Sequence, residues 1–307
     1  MIQENADASD NEQLTADHGQ RATDNGPKPI RLIAVDLDGT LLNSRSEISP
    51  ANREALVAAS ARGVQVVVVT GRRFHSARPF VEQIPCPVTV ISSNGARIGP
   101  LSGEAQFRDF LPRELARETL RVARPYRPYA VVLFDTPLRG QVVIERGASP
   151  EGPLGWYLRT APDVLLQVQD LEAAAAPDPI QVLFGGPPDR VEPLEAVLAR
   201  SPVGPHVHLT WTKYLLRNIS LLDVMNRQCS KGRALARLAE ERGIEPAEVM
   251  AIGDNHNDLE MLRFAGLPVL MANRASDFAR DGWAATLSND EDGVAAAIKR
   301  YVIDAHC

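Results

Sequence analysis

The sequence predicts an α/β protein, a doubly wound parallel sheet interrupted by an inserted α+β module. Three observations carry that expectation. Short apolar, β-branched runs alternate with amphipathic helical stretches in the amino-terminal part, and each run stops at polar residues. A Pro-rich middle of different texture follows, in which strand-like runs alternate with polar stretches. The first texture then returns toward the carboxyl end. At 307 residues the chain has room for two domains.

The elements follow in order. Residues 1–28 hold almost no large apolar side chains and several acids that repel one another, so they are expected to be a disordered tail. That tail has neither the basic nor the apolar segment of a secretory signal, and the expected location is cytoplasmic. Residues 31–35 read as a buried strand. Ser49-Pro50 opens a helix over 51–62 that Gly63 stops. Residues 64–69 form a second strand, 76–83 a helix and 88–91 a third strand. The insert is expected over 108–220, with strands at 130–134, 141–144 and 206–211, a helix at 192–200, and an Ala run at 173–176 ending a helix or lying in a loop. The outer domain, 29–107 and 221–307, resumes with a helix at 231–242, a strand at 249–252 and a helix at 259–264.

Composition excludes several functions. A hydrophobic content of 44% and a charged content of 23% describe an ordinary globular chain. The net charge of −6, without a basic run, argues against a nucleic-acid partner, and no apolar run is long enough for a membrane span. Cys86, Cys229 and Cys307 are too scattered for a disulfide framework or a zinc pattern.

The chemistry concentrates where strands end. The run Ile33-Ala34-Val35 finishes in Asp36-Leu37-Asp38-Gly39-Thr40. Two carboxylates at the end of a buried strand cost solvation unless a divalent cation offsets them, or unless one serves as nucleophile and the other carries a proton. The alternative is an Asp-rich turn that caps the next helix. Thr70-Gly71-Arg72 and Ser93-Asn94-Gly95 end the next two strands, and in a parallel sheet such ends meet at one edge. Thr70 alone would pass for a helix cap, and Asp254 with Asp258 for acids favoured by a helix start. Lys231 at a helix start is unfavourable for the dipole, which points to a local ligand.

Taken together, Asp36-Leu37-Asp38-Gly39-Thr40, Thr70-Gly71-Arg72, Ser230-Lys231-Gly232 and Gly253-Asp254-Asn255-His256-Asn257-Asp258 resemble the haloacid dehalogenase-like (HAD) phosphatases of the Cof-type subfamily (IIB). Ser93-Asn94-Gly95-Ala96, Leu222-Asp223-Val224-Met225-Asn226 and Asn289-Asp290-Glu291-Asp292-Gly293 add to the likeness. The resemblance implies a Rossmann-like HAD core with an inserted C2-type cap domain, and a Mg²⁺-dependent phosphatase of small phosphate monoesters, sugar phosphates or phosphorylated cofactors. It implies Asp36 as nucleophile and Asp38 as acid and base. Asp36, the backbone carbonyl of Asp38 and Asp254 would hold Mg²⁺. The Leu37 and Gly71 amides, Thr70, Lys231 and Asn257 would hold phosphate. Asp258 and Asn94 would support them from behind. Val269-Leu270-Met271-Ala272-Asn273-Arg274 departs from the family's usual run there by placing Arg274 at a small-residue position. In the cap, Arg139, His206, His208, Trp211 and Lys213 are candidates to read the leaving group, and His75 beside the second motif is another. A phosphotransferase or phosphomutase with the same intermediate, and a non-catalytic sensor, are the rival readings. Monomer and dimer both stay open.

Overall fold

The computed structural model describes residues 28–137, 139–148, 155, 159, 162–214, 218–274, 278 and 282–305; the expected tail 1–28 lies outside them apart from Lys28, as does Cys307. Two sheets organise the chain. The first has eight strands in the order β14-β13-β12-β1-β2-β3-β4-β5. These are β1 (Leu32–Asp36), β2 (Gln65–Val69), β3 (Val88–Ser92), β4 (Arg97–Pro100), β5 (Phe107–Arg108), β12 (Val249–Gly253), β13 (Leu267–Leu270) and β14 (Ala284–Ala285). The strands from β14 through β3 pair in parallel, and β4 and β5 add an antiparallel edge.

The apolar runs are continuous because both faces of this sheet are covered. Ile33, Val35, Val66 and Val68 pack on one face with Leu56 of α1 (Pro50–Ala61) and Ile298 of the carboxyl-terminal helix. Leu32, Ala34, Val67 and Val69 pack on the other with Leu235 and Leu262. Helix α1 begins as its sequence dictates. Ser49 is extended, its hydroxyl accepts from the Asn52 amide, and Pro50 occupies the first turn. The helix expected at 76–83 starts two residues earlier, as α2 (Phe74–Val81), because Phe74 is buried and Arg73 serves as the extended residue before it. Strand β4 was not expected from sequence; it is short, and Gly99 and Pro100 hide its pattern.

The second sheet has six strands in the order β10-β11-β9-β6-β7-β8. They are β6 (Ala130–Leu133), β7 (Val142–Glu145), β8 (Leu165–Val168), β9 (Gln181–Gly186), β10 (Val207–Tyr214) and β11 (Ile219–Asn226). All neighbours are antiparallel except β7 with β8. Helices α3 (Arg113–Val122) and α4 (Pro193–Ala199) cover one face through Leu120, Leu194 and Leu198. Strand β11 runs to Asn226, so residues 221–226, expected in the outer domain, sit in the second sheet. An apolar strand carries no mark of which sheet it joins, and its neighbours decide. The chain then returns through α5 (Lys231–Glu241), β12 and α6 (Leu259–Phe264), and ends with α7 (Gly293–Ile298) and a following turn. Among the described residues no helix is long and apolar enough to cross a membrane.

Ser49→Ala removes the first-turn acceptor of α1 and leaves the packed face intact. It is expected to lower stability by about 1 kcal/mol in urea denaturation, with the native fold retained by circular dichroism.

Candidate active site

The parallel order places β1 between β12 and β2. The ends of these strands, Asp36, Gly253-Asp254 and Val69-Thr70, therefore share one edge with Asn94 after β3. The centre of that edge is a buried ammonium. Lys231 Nζ donates to Asp36 Oδ1 and to Asp258 Oδ1, each at 2.6 Å, and the side chains of these three residues are 1%, 6% and 0% exposed. Lys231 reaches this point because Ser230 caps α5 by accepting from the Arg233 amide. Burial pulls the ammonium's pKa down, but Asp258 and Asp36 more than offset it, so the group is held charged.

Asp258 uses its other oxygen to accept from the backbone amides of Asp254 and Asn255, both at 3.0 Å. It thus shapes the loop that presents Asp254. Asp254 Oδ1 in turn accepts from the Thr40 hydroxyl at 3.0 Å. Gly39 makes that approach possible: its φ is +83°, and a Cβ there would stand 2.5 Å from Asp254 Oδ2. The departing segment touches the same turn, for Asn273 Nδ2 donates to the Gly39 carbonyl while Arg274 folds back onto the Met271 carbonyl.

Asp36, Asp254 and Asp258 offer carboxylate oxygens within 4.8 Å of one another. Burial, with the Asp258 charge second, pushes the Asp36 carboxyl up to about 7. Burial, then Asp36 and Asp258, raises Asp254 well above the usual range. Three buried acids face one ammonium, which bonds only Asp36 and Asp258, and a hard cation with oxygen ligands would relieve that imbalance. The donor set therefore fits a divalent metal. Asp258 spends both oxygens on Lys231 and the loop amides, which leaves Asp36 and Asp254 as the freer carboxylates.

Asp38 is not in that cluster. Its carboxylate accepts from Arg72 Nε at 2.7 Å and from Nη2 at 2.5 Å, and the guanidinium also lies over Phe80 at 4.5 Å. Burial lowers the Arg72 pKa, but the bond and charge of Asp38 overcome that and raise it. Thr70 Oγ1 accepts from the Arg72 amide at 3.0 Å in a local turn and does not cap the next helix, whose N-cap is Arg73. Asn257 Nδ2 donates to Asn94 Oδ1, and Asn94 Nδ2 to Asp223 Oδ2, each at 3.0 Å.

The second sheet seats on this edge through β10. Asn255 holds the backbone of Lys213 at both ends, donating to its carbonyl at 3.1 Å and accepting from its amide at 3.3 Å. The next residue, Tyr214, lies so close that burial, followed by the charges of Asp38 and Asp36, raises its phenol pKa. His208 Nε2 lies 3.8 Å from Glu260, but burial lowers its pKa and favours the neutral ring. A cleft at this seam is lined by Asn94, His208, Trp211, Lys231, Asn257 and Arg263. The side chains of the cap candidates also make other contacts. Trp211 donates to Glu195, Lys213 Nζ pairs with Glu192, Arg139 donates to the Leu165 carbonyl, and His206 ends a short turn before β10. His75 stacks edge-on against Phe74. Arg72, Asn255, Tyr214 and Asp223 had no role expected from the sequence, although Arg72, Asn255 and Asp223 lie inside the motifs that carry the resemblance.

The sequence model of the haloacid dehalogenase-like hydrolases matches residues 33–298. Phosphatase YwpJ of Bacillus subtilis is 32% identical over 294 residues, covering 89% of this chain and all of that protein. The 5-amino-6-(5-phospho-D-ribitylamino)uracil phosphatase YwtE of the same organism is 28% identical, over 90% of this chain and 97% of its own. A solved haloacid dehalogenase-like hydrolase from B. subtilis superposes with a TM-score of 0.72 at 29% identity, covering 89% of this chain and 100% of that one. The chain belongs to the haloacid dehalogenase-like hydrolase family. It is an enzyme, a phosphatase of that family.

Lys231→Met strands Asp36 and Asp258 without their cation in the interior. It is expected to cost roughly 3–5 kcal/mol in urea denaturation at neutral pH, far more than a surface charge removal.

Asp223 gives a second test. Burial pushes its carboxyl up to about 7, against the ordinary 3.8, despite bonds from Asn94 and Gln181. The folded state therefore holds that proton more tightly than the unfolded chain, and stability falls as pH rises through this window, by up to about 1.4 kcal/mol per unit. Asp223→Asn removes this dependence. The stability of wild type relative to Asp223→Asn is expected to decline between pH 5 and pH 7.5, whereas parallel profiles would contradict the assignment.

Proposed function

We propose that the protein is a Mg²⁺-dependent phosphatase that hydrolyses small phosphorylated metabolites through an aspartyl-phosphate on Asp36. The observation that carries this reading is the buried set of Asp36, Asp254 and Asp258 around Lys231, at the edge where Asp38 and Thr70 also stand. Mg²⁺ on Asp36, Asp254 and the Asp38 carbonyl would neutralise charge on the transferring phosphate.

In the first half-reaction a carboxylate oxygen of Asp36 bonds to phosphorus and the bond to the ester oxygen breaks. Asp38 gives its proton to the departing alkoxide. In the second half, a water gives a proton to Asp38 while its oxygen attacks phosphorus, and the bond to Asp36 breaks to release inorganic phosphate. Arg72 donates to both oxygens of Asp38 and so holds that side chain in place for the second half. The first half requires that carboxyl to part from Arg72 and to carry a proton. Lys231 keeps Asp36 aligned, and the Leu37 and Gly71 amides, Thr70 and Asn257 hold phosphate oxygens. Tyr214 and β10 cover the site, excluding water from the intermediate.

Sugar phosphates and phosphorylated cofactors are the substrate class. A relative named for a phosphate ester on a ribityl chain supports it, as does a seam cleft lined by both polar and aromatic side chains. Purified protein with Mg²⁺ is expected to release phosphate from members of a panel of such esters. Release should stop with EDTA and fall at least about 10³-fold in Asp36→Asn, as when a nucleophile is removed. Phosphate release that survives Asp36→Asn would defeat the aspartyl-phosphate reading.

A further inference from the structure

We infer that Asp223, on strand β11 of the second sheet, is a positioning residue for the phosphate pocket, acting through Asn94 to set the amide of Asn257. The inference rests on the reading that Asn257 holds phosphate, and adds that the pocket is complete only when the inserted sheet is seated.

The chain of contacts is direct, buried at Asp223 and Asn94 and half-buried at Asn257. Asp223 Oδ2 accepts from Asn94 Nδ2 at 3.0 Å, and Asn94 Oδ1 accepts from Asn257 Nδ2 at 3.0 Å. Asp223 and Asn94 are buried, and Gln181 of β9 donates to the other oxygen of Asp223. What Asp223 contributes is polarity. An amide can turn its oxygen and nitrogen either way, but a carboxylate accepts at both oxygens, and a carboxyl protonated at Oδ1 still accepts at Oδ2. Facing Asp223, Asn94 must present Nδ2 to it and Oδ1 to the far side. Asn257 must then offer Nδ2 to Asn94, which points the whole amide one way and leaves its second N–H for an oxygen of the substrate.

The neighbourhood makes this arrangement exacting. Ser93 and Asn94 both have left-handed φ, 51° and 52°, a backbone state that persists where surroundings hold it. The Asn94 amide donates to the Thr70 carbonyl at 3.0 Å. A Cβ on Gly71 would stand 3.0 Å from Asn94 Oδ1 and 3.5 Å from Asn257 Nδ2, so the amide pair is packed against the turn that carries Thr70. A residue of the inserted sheet thus sets two groups of the outer sheet's active edge, neither of which it could set by packing alone.

The test measures binding of inorganic phosphate by calorimetry and KM against kcat for the best substrate. The proteins are wild type, Asp223→Ala, Asp223→Ser, Asn257→Ala and the double variants, with melting temperatures recorded for each. Asp223→Ala and Asp223→Ser are each expected to weaken phosphate binding and raise KM about tenfold, the worth of one hydrogen bond to a charged group. Neither should add to the loss in an Asn257→Ala background. Asp223→Asn is expected to recover most of the loss, because Gln181 Oε1, which has no partner among the described residues, can turn to meet the new NH₂ and leave an oxygen for Asn94. If Asn257→Ala weakens phosphate binding while folded Asp223 variants bind normally, or if the two losses add in full, the inference is overturned and the phosphatase reading stands. If Asn257→Ala itself leaves phosphate binding unchanged, the role of Asn257 falls and this inference with it.

Discussion

One ammonium shared by two buried carboxylates organises the active edge. A lysine with 1% exposure survives only if its charge is matched in place, since desolvating an ammonium costs several kcal/mol and only close partners offset it. Asp36 and Asp258 supply that match from opposite directions, one from the end of the central strand and the other from the loop after β12. The pairing ties α5, β1 and the β12 loop into one unit. It also leaves the acids in excess, which is the condition under which a divalent cation and an anionic substrate both find a place. Asp258 illustrates the economy of the arrangement. One oxygen orients Lys231 and the other fixes the amides that present Asp254.

Polar contacts join the insert to this edge, beside an apolar cluster in which Ala96 and Cys229 pack with Val131, Leu183 and Met225 of the second sheet. Asn255 clasps the backbone of Lys213, Asn94 meets Asp223, and Arg73 donates to Gln141 just before β7. Each of these hydrogen bonds joins groups that water could also satisfy, so the contacts fix where the two sheets meet more than how strongly they hold. Tyr214 of the insert and Arg72 of the outer sheet's edge both stand beside Asp38, so bulk and positive charge meet at that acid.

The sequence by itself determined the sheet and the chemistry of its edge. Apolar β-branched runs between amphipathic helices can bury themselves only as parallel strands covered on both faces, and parallel strands must deliver Asp36, Thr70, Asn94 and Asp254 to the same side. Local signals placed α1 and α5 because their caps lie in the sequence itself. The tertiary structure decided what is not local. Strand β11 joins the insert because β9 and β10 lie beside it, not because of its composition. Arg72 takes Asp38 as partner and Asn255 takes the Lys213 backbone across long stretches of chain, and no spacing rule encodes a meeting of that kind. His208 and Trp211 were legible as polar or aromatic cap residues, but whether each faced the cleft or a neighbouring acid depended on how two sheets pack. Periodicity reports which face of an element is buried; it does not report against what, and that is where the insert's part in the site was settled.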